Sequence, residues 1–141
     1  MKMHSKLLGT SGELLVAHEF YKRGISCFIE PGDLSRIDLI AQATSGLIRI
    51  QVKTLTRSSD GSYKFDSRKR TRGYEYWYAQ NDVDIFAVYC VEDNCIAWIK
   101  SCELIISEGC NFMSLRSIPT KNNQNKKVNW LKDYIDINRI L

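Results

Sequence analysis

The chain has 141 residues, 44% of them hydrophobic and 26% charged, which is the balance of a globular domain large enough to bury a core. No apolar run is long enough to span a bilayer, and the opening MKMHSKLLGTSGE has no apolar signal region, so membrane insertion and secretion are not expected. The formal charge of +4 is too small to carry an argument by its total, so its distribution decides.

Five cysteines, Cys27, Cys90, Cys95, Cys102 and Cys110, are scattered and form no CxxC pair. That pattern argues against a zinc site or a disulfide framework and for free thiols in a reducing, intracellular setting.

In chain order, Thr10-Ser11-Gly12-Glu13 reads as a helix opening, with Thr10-x-x-Glu13 carrying the spacing of a capping box. Leu14, Ala17 and Tyr21, with Val16 and Phe20 beside them, recur at helical spacing, and Gly24 ends the helix. A short strand is expected over Ile25 to Ile29, broken by Pro31-Gly32-Asp33.

Ile37 to Lys53 reads as two strands joined at Ala43-Thr44-Ser45-Gly46. Alternation puts Ile37, Leu39, Ala41, Ile48, Ile50 and Val52 on one face and Asp38, Gln42, Arg49, Gln51 and Lys53 on the other, with Ile40 and Leu47 as its only apolar members. A hairpin centred on that turn sets Asp38 opposite Gln51, with Lys53 one step further on the same face. One carboxylate, one amide and one ammonium are thereby gathered above an apolar floor.

After Lys53 comes TRSSDGSYKFDSRKRTRG, with a possible strand at Tyr63 to Phe65 and six cations: Arg57, Lys64, Arg68, Lys69, Arg70 and Arg72. A basic cluster of this kind, on a flexible loop, suits contacts to DNA phosphates. Tyr74 to Gln80 reads as a brief aromatic helix, its rings assigned to core or subunit interface. Strands are expected at Ile85 to Val91 and Cys95 to Lys100, then a helix capped by Ser101 and running to Ser107. Lys121 to Lys127 reads as a polar linker, and Trp130 to Ile137 as a last short helix. The domain expectation is therefore one domain over 1–120 and an extension over 121–141. The fold class is α/β or α+β, around a central mixed sheet flanked by helices.

The order of Glu13 on a helix, Asp38 in R-I-D-L-I and Gln51-x-Lys53 in I-Q-V-K-T resembles the PD-(D/E)XK nuclease superfamily. With D-V-D-I-F-A-V-Y further on, it looks most like the group I intron homing endonuclease branch, with archaeal Holliday junction resolvases more distant. The similarity is read over Gly9 to Lys100. Two positions depart from the pattern: Ile37 stands in place of the proline, and Gln51 in place of the commoner acid.

The resemblance implies a restriction-endonuclease-like core and Mg2+-dependent hydrolysis of phosphodiesters in double-stranded DNA, with Mn2+ able to substitute. Glu13, Asp38, Gln51 and Lys53 would be catalytic, and Asp38, Gln51, the Val52 carbonyl and Glu13 would hold the metal. Cleaving both strands implies a homodimer or homotetramer, and no organic cofactor is implied. Two alternatives stay open: a structure-selective nuclease that resolves junctions, and a catalytically weak DNA-binding module on the same fold.

Overall fold

A computed structural model describes residues 4–32, 35–71, 73–120 and 128–141. Helix α1 (Ser5–Tyr21) starts before the expected Thr10, with the His4 imidazole capping the Lys6 N–H at 3.3 Å. Thr10 and Ser11 lie inside the helix, where their hydroxyls donate back to the carbonyls of Lys6 and Leu8. The capping-box spacing at Thr10 and Glu13 is thus not a helix start. The buried stripe is Gly12, Val16, Ala17 and Phe20, while Leu14 and Tyr21 face outward. Gly12 decides this, because a Cβ there would stand 1.9 Å from Thr54 Oγ1. The helix comes closest to the sheet where it has no side chain.

The main sheet has the order β1-β2-β3-β7-β8, with β1 Ser26–Ile29, β2 Leu39–Ala43, β3 Gly46–Leu55, β7 Ile85–Cys90 and β8 Cys95–Lys100. It is mixed: β3 and β7 run parallel and the other neighbours antiparallel. Between β3 and β7 the chain forms β4 (Tyr63–Asp66), β5 (Arg68–Thr71) and β6 (Tyr74–Trp77). β5 and β6 pair with each other, Arg68 opposite Trp77 and Lys69 opposite Tyr76. This corrects two expectations, the flexible basic loop and the aromatic helix over Tyr74 to Gln80. Tyrosine and tryptophan suit a pleated strand, and Gly73, at φ +68°, supplies the left-handed residue of the turn. Arg72 lies outside the described residues.

β4 joins a second sheet, β10-β9-β4, through β9 (Phe112–Arg116) and β10 (Asn129–Trp130). The helix expected over Ser101 to Ser107 shrinks to α2 (Ser101–Leu104). Its cap is the Glu103 carboxylate on the Lys100 N–H at 2.8 Å, and the Ser101 hydroxyl finds no partner. The Asn111 side chain then accepts from the backbone of Ile106 and Ser107 and holds the chain out of helix.

The helix expected over Trp130 to Ile137 is replaced by strand β10 and two short 3-10 turns, Leu131–Asp133 and Ile137–Arg139. Asp136 caps the second turn at the Asn138 N–H, and the Tyr134 carbonyl is taken by the Trp98 N–H at 2.8 Å. The expected linker Lys121 to Lys127 lies outside the described residues.

Two cores fill the two faces of the main sheet. Val16, Phe20, Leu39, Ile50 and Trp98 pack under α1, with Phe20 edge-on to Trp98 at 5.4 Å. Tyr63, Phe65, Tyr78, Phe86, Val88, Leu115 and Leu131 fill the other. Among the described residues no helix is long and apolar enough to cross a membrane.

Candidate active site

The β2–β3 register pairs Leu39 with Ile50 and Ala41 with Ile48, which places Asp38 opposite Gln51 as the alternation requires. The Asp38 N–H continues the ladder by donating to the Ile50 carbonyl at 2.9 Å. Leu39, Ala41, Ile48, Ile50 and Val52 turn toward α1, and Asp38, Gln51 and Lys53 toward the second core. Ile37 alone breaks the expected apolar face, packing instead on the second core.

This polar face is not open to solvent. Asp38 is 8% exposed and Gln51 6%. Asp38 Oδ2 accepts from the Val52 N–H at 2.8 Å and from Gln51 Nε2. The same Gln51 nitrogen lies 3.2 Å from the Val52 carbonyl. The far side of the amide, Oε1, accepts from the hydroxyl of the buried Tyr78, which also lies 3.0 Å from the Arg36 carbonyl. The Lys53 ammonium donates to the Arg68 carbonyl, and Lys69 Nζ stands 3.6 Å from Asp38 Oδ1.

Burial pushes the Asp38 carboxyl above its ordinary value, with the Val52 N–H, Lys69 and Lys53 pulling against it. Burial pulls the Lys53 ammonium below its ordinary value, opposed by Asp66 and Asp38. Both shifts share one leading cause, the removal of a charged group from water. The Tyr78 hydroxyl is raised, chiefly by burial and then by Tyr76, so it stays a protonated donor to Gln51.

Asp38, Gln51, Val52 and Lys53 are thus brought together. Glu13 stands half-buried in the middle of α1, next to Gly12, in the layer that packs on the opposite face of β3. Among the described residues no three His, Cys, Asp or Glu side chains gather where a metal ion could be held. The donor set on this face is one carboxylate, one amide and one backbone carbonyl.

The basic run divides. Arg57 pairs with Asp93, Lys64 with Asp60, Arg68 with Asp66, Arg70 with Glu75 and Lys69 with Asp38. Lys69, expected only among the cations for DNA phosphates, and Tyr78, expected in core or interface, are the residues the sequence reading did not place at this site. Their signal is long-range: only the β5–β6 pairing folds the run Arg68 to Tyr78 back over β3.

The model of the PD-(D/E)XK endonuclease family matches residues 3–137, well past the Lys100 at which the resemblance was read to stop. No curated protein sequence matches. Among solved structures, the bacterial homing endonuclease I-Ssp6803I superposes with a TM-score of 0.73 at 25% identity, over 94% of this chain and 88% of that one. The Holliday junction resolvase Hjc of the archaeon Archaeoglobus fulgidus shares the fold, with a TM-score of 0.53 at 14% identity over 74% of this chain and 82% of that one.

Proposed function

The chain belongs to the PD-(D/E)XK endonuclease family, and from that premise we propose that it is a Mg2+-dependent, site-specific endonuclease of the homing type acting on double-stranded DNA. One observation carries the reading. Asp38 Oδ2 and the Val52 carbonyl both reach the same Gln51 nitrogen, so two oxygens face one point beside Lys53.

A hard divalent cation takes oxygen ligands, and this donor set fits one. Asp38 and the Val52 carbonyl would hold it, and Gln51 would add its amide oxygen with the side-chain amide turned over; Glu13, in the layer on the opposite face of β3, is left out of this set. The bound ion supplies Lewis-acid polarisation of the phosphate oxygen and of water. The chain does the rest. Lys53, anchored by the Arg68 carbonyl, holds an ammonium where negative charge develops in the transition state. Without the ion, Tyr78 and Asp38 hold the Gln51 amide with its nitrogen toward the site, so ligation would release both contacts. Enclosure by the β5–β6 hairpin keeps these charges poorly screened.

One such site cuts one strand, so duplex cleavage calls for two copies related by symmetry, as a homodimer or homotetramer inside the cell. The test is cleavage of plasmid and four-way-junction DNA with and without Mg2+, beside Asp38→Asn. Mg2+-dependent cuts at discrete duplex sites, absent in Asp38→Asn, are expected. Cutting of junctions alone would replace the homing reading with a structure-selective one. Binding without cleavage would replace it with a DNA-binding module.

A further inference from the structure

Residues of β5 and the one after β6 touch three of the four catalytic candidates, Asp38, Gln51 and Lys53. The Arg68 carbonyl accepts from the Lys53 ammonium, the Tyr78 hydroxyl donates to the Gln51 amide oxygen, and the Lys69 ammonium faces Asp38. The third contact differs in kind, because it sets a side-chain cation against the carboxylate expected to bind a metal ion.

Strand alternation explains how Lys69 comes to be there. On β5, Lys69 points the opposite way from Arg68 and Arg70. The Arg70 side chain is 61% exposed, whereas the Lys69 side chain is only 13% exposed. Its ammonium donates to the Ser35 carbonyl at 2.5 Å and lies 3.6 Å from Asp38 Oδ1. Asp38 Oδ2 is already occupied by the Val52 N–H and the Gln51 amide, so Oδ1 is the oxygen left to Lys69. An almost fully buried carboxylate without a counter-charge is strongly disfavoured, and this lysine provides one.

Resting on the nuclease reading above, we propose that Lys69 is an exchangeable counter-ion of Asp38, balancing the carboxylate until a divalent cation takes its place and frees the ammonium for a DNA phosphate. The idea separates Lys69 from the rest of the basic run. Arg57, Lys64, Arg68 and Arg70 are paired with acids outside the catalytic trio, and no cation binding at Asp38 would release them. It also makes cation binding and DNA binding reinforce each other, since each removes a competitor of the other.

The experiment is calorimetric titration of Ca2+, at fixed ionic strength, into the full chain and into Lys69→Met and Lys69→Arg. Lys69→Met should bind Ca2+ about tenfold tighter or more, the scale expected when one competing unit charge leaves a poorly screened site. Lys69→Arg, which keeps the charge, should stay near the unmodified affinity. A purely structural tether would lower the stability of Lys69→Met and leave its Ca2+ affinity unchanged, which would overturn the proposal. A readout on the unmodified protein covers the case in which Lys69→Met does not fold. The 15N resonance of the Lys69 ammonium should move as Ca2+ is added, and a resonance that does not move refutes the exchange. If the unmodified protein cleaves DNA with Mg2+ but Lys69→Met shows no gain, only the counter-ion role falls. If the unmodified protein neither binds Ca2+ nor cleaves, the nuclease reading falls with it.

Discussion

The hydroxyl of Tyr78 donates to Oε1 of Gln51, and that contact decides which way the amide faces. With the oxygen held by the phenol, the nitrogen is left to span Asp38 Oδ2 and the Val52 carbonyl. Tyr78 is 2% exposed and Gln51 6%, so water cannot replace a lost donor. Tyr78→Phe should therefore destabilise the fold by about 1–3 kcal/mol, the usual cost of an orphaned buried acceptor. Because ligation needs the amide turned over, releasing Oε1 should also speed cleavage at limiting Mg2+, by raising the share of molecules already in the ligating orientation. Urea denaturation and single-turnover cleavage measure the two effects. Unchanged values in both would mean that Asp38 alone orients the amide.

Asp38 and Lys53 separate chemistry from structure through the choice of replacement. A polar strand face facing solvent would tolerate alanine, but here Asp38 is the partner of the buried Val52 N–H. Asp38→Ala should cost about 1–3 kcal/mol of stability, because that donor is left without an acceptor. Asp38→Asn keeps an acceptor oxygen and should fold more stably than Asp38→Ala. Both should lose cleavage by about a hundredfold or more, as should Lys53→Met, which removes the ammonium but keeps its stem. A cleaving Asp38→Asn would remove the carboxylate from the mechanism.

The legible part of this protein is the part with a period. Alternation over Ile37 to Lys53 specifies the register that puts Asp38 opposite Gln51, and the runs Ile85 to Cys90 and Cys95 to Lys100 are apolar enough to read as strands. The β5–β6 hairpin was missed because Arg68-Lys69-Arg70 has no apolar alternation and Tyr74 to Tyr78 no distinguishing period. The start of α1 was misread because a threonine and a glutamate three apart look like a cap wherever they fall. Lys69 and Tyr78 reach the site only through pairing between strands and packing of the hairpin on β3, and no local pattern encodes that.

Gly12 offers a test of the helix–sheet contact. A Cβ at this position would meet Thr54 Oγ1 at 1.9 Å and Thr54 Cβ at 3.2 Å, and threonine, branched at Cβ, cannot swing clear. Gly12→Ala should destabilise by about 1–3 kcal/mol or more through overpacking, despite the helix propensity of alanine. Adding Thr54→Ala should recover much of the loss, since it removes the clashing hydroxyl, which is itself buried without a partner. Gly9, with nothing within 4 Å of its Cβ position, is the control. Gly9→Ala should stabilise by roughly 0.5–1 kcal/mol. Equal effects at Gly9 and Gly12 in urea unfolding would show that the contact with Thr54 is not tight.

The outward cations of the basic run carry the last prediction. The side chains of Lys64 and Arg70 are 58% and 61% exposed, paired with the open carboxylates of Asp60 and Glu75. Such exposed pairs contribute little and can exchange their partner for a phosphate. Arg68 is different: its guanidinium holds Asp66 at 3.0 and 2.7 Å with only 23% of the side chain exposed. Lys64→Ala and Arg70→Ala should leave folding unchanged, weaken duplex binding, and each reduce the slope of log affinity against log salt by about one. Arg68→Ala should instead lower stability, because it strips the partner from Asp66 next to the Lys53 anchor. Measuring affinity from low to moderate salt, alongside urea unfolding, distinguishes the two classes. If Lys64→Ala and Arg70→Ala leave the slope untouched, these cations only balance the acids beside them, and the phosphate contacts must come from another face of the protein.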